Sequence, residues 1–485
     1  MNTEKQFAKY VSQNVLGMVG ISLYILADTY FISLSVGAKG IAALNLVLPV
    51  YNIIFAIGQM IGTGSAIRFV IDTKRNSEYS KKYFFNALFW GTVAGLVFSA
   101  AGIFFPDRVI SLMGGDAEIV AVGTGYTRIF MSFAPFFIWN NICNAFVRND
   151  GAPSVAMAAT LSSSLFNIAA DYIFMFPMKM GVAGAALSTC LSNTASMIFL
   201  LIHVARHHND SLVKIPLLPK RVTWKTQRDI YSIGTPAALQ ILLAAVSNAV
   251  LLRLMSGYPV AATSGMGVMQ KVESIPFQAI MGISSGVLPL IAYNFASGNR
   301  ERMRGAVRFA LTRGIACAVV CFTLMEAFAP FIVRFFVDDA GSVAYGADFV
   351  RLRTLALPFI TVEFMLIAVF QGIGGAKQAL FLSLFRKGLL DLPLMVLFNL
   401  IWPMYGLMLV QPIMECCGAA IALIMYRKIP KNPPAVSQKA EYSKKKDEVR
   451  YAKASERNMF RLSPSRFAFG SQQLLIRKSR KPKNK

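Results

Sequence analysis

The stretch SLFNIAADYIFMF, residues 164–176, closes an apolar run and carries Asn167 and Asp171 inside it. Four residues apart on a helix, these two side chains lie one above the other on one face. A carboxylate in a hydrocarbon core costs about 2.5 to 3.5 kcal/mol on insertion scales unless it faces a polar cavity or a partner. An interhelical hydrogen bond accounts for a lone Asn, but Asp171 beside it marks the pair as functional.

The rest of the chain is the solvent that makes this pair costly. Of 485 residues 55% are hydrophobic and 15% charged, with a mean hydropathy of +0.52, too apolar for a soluble domain of this length. Apolar runs of about 20 residues recur, each enough for a hydrocarbon core of about 30 Å. The alternating segments of about ten residues that build a membrane barrel are absent. The chain reads as an all-α integral membrane protein.

The net charge is +25, from 49 basic and 24 acidic residues, which on a soluble protein would suggest nucleic acid. Here the positive residues gather in alternate loops and in the end of the chain, where residues 431–485 hold 16 Lys and Arg against 4 acids. That is a topology signal, so no nucleic-acid partner is expected. Cys143, Cys190, Cys317, Cys321, Cys416 and Cys417 read as helix-packing residues, with no disulfide framework and no metal spacing. The three histidines, His203, His207 and His208, sit together at one helix end. No GxxxxGK[ST] loop occurs, so the chain has no ATPase of its own, and no HExxH or nucleophile motif suggests an enzyme.

In order, residues 1–10 are a short polar N-terminus with no cleavable signal expected, and spans 1 to 6 form a first lobe over residues 11–205. A basic linker follows at 206–229, a second lobe of spans 7 to 12 at 230–427, and a basic tail expected to be disordered, and to rest on anionic lipid, at 428–485. Basic loops at every second crossing predict twelve spans with both termini in the cytoplasm. The halves repeat: Pro135 and Gly151 recur at Pro358 and Gly374, an offset of 223, and Gly37 and Gly62 at Gly257 and Gly282, an offset of 220. Six spans per repeat predict two six-helix lobes related by pseudo-twofold symmetry about the membrane normal, with a cavity between them. At these offsets Asp28 pairs with Asn248, Asn167 with Leu390 and Asp171 with Leu394, so the first lobe alone is expected to keep buried charge.

Several segments together resemble the multidrug and toxic compound extrusion (MATE) family: ADTYFISLSVG in span 1, RNDGAPSVAM before span 5, FNIAADYIF in span 5 and MGVAGAALST opening span 6. The resemblance covers about residues 10–427. It implies export of drugs and other small organic cations, driven by Na⁺ or H⁺, from a cavity open to one side at a time. In the prokaryotic branch with an acid in span 1, the cation site implied here is Asp28, Asn167, Asp171 and Thr189, with Na⁺ as one candidate ion. The chain departs from many members in lacking a proline early in span 1, where Gly17 and Gly20 precede Asp28. Another branch uses acids in spans 7 and 10; span 7 here has Gln240 and Asn248 but no acid, and Glu363 lies near the span 10 position. Glu273, with Lys271 or Arg253 as its expected partner, is the other secondary candidate.

No further cofactor and no ATPase subunit are expected, and the protein is read as a monomer in the inner (plasma) membrane, its surroundings the lipid bilayer. Gln59, Asn140 and Asn144 are candidate cavity residues because they are polar in apolar spans. Adaptable Met-rich or aromatic walls are expected around them. The rival reading is a flippase for lipid-linked sugars, which needs a strongly cationic cavity; basic residues concentrated in loops argue against it.

Overall fold

The computed structural model describes residues 3–35, 38–73, 82–113, 117–206 and 224–428; most of the expected linker and nearly all of the basic tail lie outside them. Every regular element among the described residues is helical. The first half comprises α1 (Thr3–Ser35), α2 (Ala38–Thr73), α3 (Lys82–Phe104), the short α4 (Pro106–Leu112), α5 (Ala117–Ser132), α6 (Ala134–Asn149), α7 (Pro153–Met175) and α8 (Val182–Arg206). The second comprises α9 (Trp224–Met255), α10 (Val260–Ala296), α11 (Arg300–Arg334), α12 (Ala340–Thr354), α13 (Leu357–Gly372), α14 (Ala376–Leu384), a π-helical turn (Phe385–Leu390), α15 (Asp391–Ile401) and α16 (Tyr405–Arg427).

Among the described residues eight helices are long and apolar enough to cross a membrane, and two bent pairs, α5 with α6 and α12 with α13, bring the number to ten. The other two of the twelve spans are α7, whose hydropathy Asn167 and Asp171 dilute, and the α14 to α15 rod, which carries Arg386, Lys387 and Asp391. The bends fall at 49° and 43° in corresponding places. Each lies beside one of the repeated prolines, Pro135 and Pro358, at the start of the second helix, where a missing N–H costs nothing. Gly151 and Gly374, the other repeated pair, both take positive φ, 97° and 77°, in the turn that follows.

Gly62 and Gly282 are not equivalent. A Cβ on Gly62 would meet the Asn141 carbonyl at 3.1 Å inside its own lobe, whereas one on Gly282 would meet Val15 Cα at 2.6 Å on the other lobe. Ser284 is the α10 residue in Gly62's position, because its hydroxyl donates to the Phe364 carbonyl (3.0 Å), and Phe364 follows Asn141 by the prolines' offset. Two residues are about 200° of helix, so that slip exchanges an intralobe face for an interlobe one.

Each lobe has its own apolar core, around Phe130, Ile138 and Phe146 in the first and Met266, Phe349 and Leu407 in the second. The lobes meet along α2 with α9 and α1 with α10. There the backbones touch: Gly64 lies on the Ile230 carbonyl, Gly234 on the Met60 carbonyl. Small residues let membrane helices come this close. Arg68 pairs with Asp72 (3.4 Å) and reaches across to Asp229 (3.7 Å), and Asn86 Nδ2 donates to Gln227 (2.7 Å).

Candidate functional site

Two sites emerge, a buried pocket in the first lobe and a cavity between the lobes. The pocket is set by α1, α7 and α8. α1 and α7 run in the same direction, with Gly17 over Thr160, Gly20 over Leu161 and Ser164, and Phe31 against the rings of Tyr172 (6.3 Å) and Phe176 (5.9 Å). Contacts advance in step along the two helices, so Asp28 falls level with Asp171 and within its electrostatic reach. Asn167 and Asp171 are buried, at 1% and 0% exposure.

Asn167 Nδ2 donates to Thr189 Oγ1 (3.3 Å) and approaches Ser188 Oγ at 3.5 Å. Ser188, not Thr189, hydrogen-bonds Asp171. The structure thus gathers all four residues expected from the sequence and adds Ser188, which the MGVAGAALST segment contains beside Thr189. Tyr24 of α1 and Tyr126 of α5 lie within electrostatic reach of Asp28, and Tyr51 of α2 hydrogen-bonds Tyr24; no local pattern marked them, because three helices contribute one each. Asp28 Oδ1, Asn167 Oδ1 and Asp171 Oδ2 are buried without a hydrogen-bond partner. Orphaned hard oxygens of this kind are the donors that small cations take, so this donor set fits Na⁺ or a proton.

The cavity between the lobes has a volume of about 740 Å³ and ends where α2 meets α9 and α1 meets α10. Gln59, Asn140 and Asn144 all line it, as expected. Gln59 Nε2 donates to Asn141 (2.9 Å), Asn140 Nδ2 to Asn193 (3.0 Å) and Asn144 Nδ2 to Thr160 (3.2 Å). In place of the expected Met-rich or aromatic wall the lining is amide-rich: among the described residues sixteen are Asn or Gln, and the aromatics are Tyr24, Tyr51, Phe55, Phe277 and Phe364.

The second lobe corrects the expectation that only the first buries charge. Glu273 pairs with Arg353 (3.1 Å) and accepts from Gln411 (2.9 Å), so neither Lys271 nor Arg253 is its partner. Glu363 lies 3.6 Å from Arg386 Nε, while Arg386 Nη1 donates to Glu415 (2.8 Å). Lys387 pairs with Asp391 at 3.0 Å, and Ser247 donates to the same carboxylate. The π-helical turn presents Arg386 and Lys387 inward, a distortion frequent at functional sites. Positive charge is therefore not confined to loops, since Arg148, Arg353, Arg386 and Lys387 line the cavity. The four-residue spacing of Lys387 and Asp391 was a legible sign of a buried pair.

Cys143 and Cys190 are buried as expected, but Cys416 and Cys417 are exposed.

The MatE family model matches residues 15–173 and 236–397, one segment in each lobe. The multidrug export protein MepA of Staphylococcus aureus (strain bovine RF122 / ET3-1) is 27% identical over 417 residues, covering 85% of this chain and 91% of MepA. MepA of Staphylococcus saprophyticus subsp. saprophyticus is 26% identical with the same coverage. Among solved structures, an outward-facing multidrug resistance MATE family transporter of the MOP superfamily superposes with a TM-score of 0.82 at 22% identity, over 88% of this chain and 96% of that one.

Proposed function

The chain belongs to the MatE family of multidrug and toxic compound extrusion transporters, and on that premise we propose a secondary active exporter of amphipathic organic compounds, mainly cations, exchanged for Na⁺ or H⁺ by alternating access. The observation that carries this reading is the orphaned oxygen set of Asp28, Asn167 and Asp171 beside a two-lobed cavity. Asp28, Asn167, Asp171 and Thr189 would hold the coupling ion, and Ser188 would orient Asp171. Coupling then follows from electrostatics. Two carboxylates facing each other across α1 and α7 oppose the packing of those helices, and neutralising them favours it. Ion and substrate would alternate because each stabilises a different position of α1.

With both termini cytoplasmic, in the inner (plasma) membrane, the α2–α9 and α1–α10 contacts close the cytoplasmic side and the cavity faces out. Tyr51 and Phe55, stacked 5.9 Å apart on the wall, offer faces to a cationic ring system. The protein would act as a monomer, without an ATPase subunit or catalytic chemistry. The flippase reading draws on the four cavity cations, but three of them are matched by carboxylates, which leaves too little charge for a pyrophosphate.

The test is ethidium efflux from cells expressing the protein, with Na⁺ and pH jumps applied separately, for wild type and Asp171→Asn. Efflux that answers one gradient in wild type and fails in the variant supports the reading and names the ion. Normal export by Asp171→Asn would move the coupling site to Glu273 or Glu363, and no dye movement under either gradient would sink drug export.

A further inference from the structure

The cavity's amides carry no charge, and among the described residues six charged side chains line it: Arg148, Glu273, Arg353, Arg386, Lys387 and Glu415. Arg353 is matched by Glu273, Arg386 by Glu415 and Glu363, and Lys387 by Asp391 behind the wall. Arg148 is not matched. No carboxylate lies within ion-pair distance of it among the described residues. Its Nη2 donates to the neutral Asn144 Oδ1 (2.5 Å) and its Nε has no acceptor.

Asn140, Asn144 and Arg148 follow one another at four-residue steps of α6, so one helix face presents two amides and a guanidinium to the same space. Arg148 is half-buried, but its Nε is buried with an unmet N–H, which is costly, and its planar fork matches an oxyanion of two oxygens. One uncompensated cation suits one monoanionic group.

We propose that Arg148 is the docking point for an oxyanion carried by the transported molecule, so that the cavity takes zwitterions and carboxylates as well as cations. The inference rests on the export reading and deepens it. The anionic end lies on the α6 face, and the Tyr51 and Phe55 pair on α2 receives the aromatic body. The same chemistry could come from a lipid phosphate, which the test separates.

The experiment is equilibrium dialysis of the purified full chain in detergent against three probes: rhodamine B, its ethyl ester and dihexanoyl phosphatidate. The two dyes share a ring system, and only the first has a free carboxylate. Arg148→Gln is expected to weaken rhodamine B about tenfold and leave the ester within about twofold, with Arg148→Lys in between. Equal losses for both dyes, or no loss for either, overturn the proposal and leave the export reading standing. Binding of phosphatidate alone, lost in Arg148→Gln, keeps the oxyanion site and removes drug export. Binding of none of the three by wild type ends both. If Arg148→Gln does not fold, Arg148→Lys carries the comparison, since a structural role for the charge would leave the carboxylate-to-ester ratio unmoved.

Discussion

The Met60 carbonyl of α2 occupies the place where Gly234 of α9 would carry a side chain. With Gly64 on the Ile230 carbonyl and Gly282 against Val15, this contact brings the lobes together at one end of the cavity. Backbone on both sides leaves nothing to give way. Gly234→Val is expected to disfavour the closed contact by about 1 to 3 kcal/mol, a shift of about 5- to 150-fold in population. In a cysteine-free background, Ala237→Cys on the cavity wall should be labelled from outside by an impermeant maleimide, and Gly234→Val should slow that labelling. Unchanged labelling would mean the contact is not what separates the two states.

Ser188 holds Asp171, and the Thr189 hydroxyl accepts from Asn167. Removing a hydrogen bond to a buried charged group costs about 1.5 to 3 kcal/mol. Ser188→Ala is therefore expected to cut gradient-driven dye efflux about tenfold or more, with Thr189→Ala milder. The reverse order would return the coupling role to Thr189.

Arg386 stands between Glu363 and Glu415, all three buried. Arg386→Met leaves two carboxylates facing each other without their cation, and losses of about 3 to 5 kcal/mol follow removal of one partner from such a group. Thermal unfolding in detergent should show a large drop for Arg386→Met. Adding Glu363→Gln and Glu415→Gln to it should recover most of the loss. Failure to recover would show that Arg386 acts through packing over Phe364, 4.6 Å from its ring, rather than through charge.

Asp339 caps α12 outside the membrane-spanning part, accepting from the Ser342 backbone N–H at 2.8 Å. That hydrogen bond favours the charged form and holds the carboxyl below its ordinary value. A depressed folded pKa contributes stability that is complete above the unfolded value, about 4, and is lost as pH falls through the folded one. Asp339→Asn keeps a capping oxygen but no titrating group. Below about pH 4, wild type should lose thermal stability faster than the variant; parallel acid limbs would remove the cap from the pH response.

The sequence by itself determined what local hydropathy and spacing can carry. Crossing a membrane depends on about twenty consecutive residues, so the helical spans and their repetition were legible, as was the Asn167 and Asp171 face. Pro135 with Pro358 and Gly151 with Gly374 located the two bends and their turns because backbone chemistry acts where the residue stands. Family resemblance added Asp28 and Thr189 to the pocket. Only tertiary structure decided the rest. Glu273 meets Arg353 across 80 residues and Asn140 meets Asn193 across 53, separations at which no periodicity operates. The Gly62 register shifted by two because faces, not offsets, are what packing selects. Arg148 opens the RNDGAP segment between two spans, and only the packed structure shows that no carboxylate lies within ion-pair distance of it among the described residues.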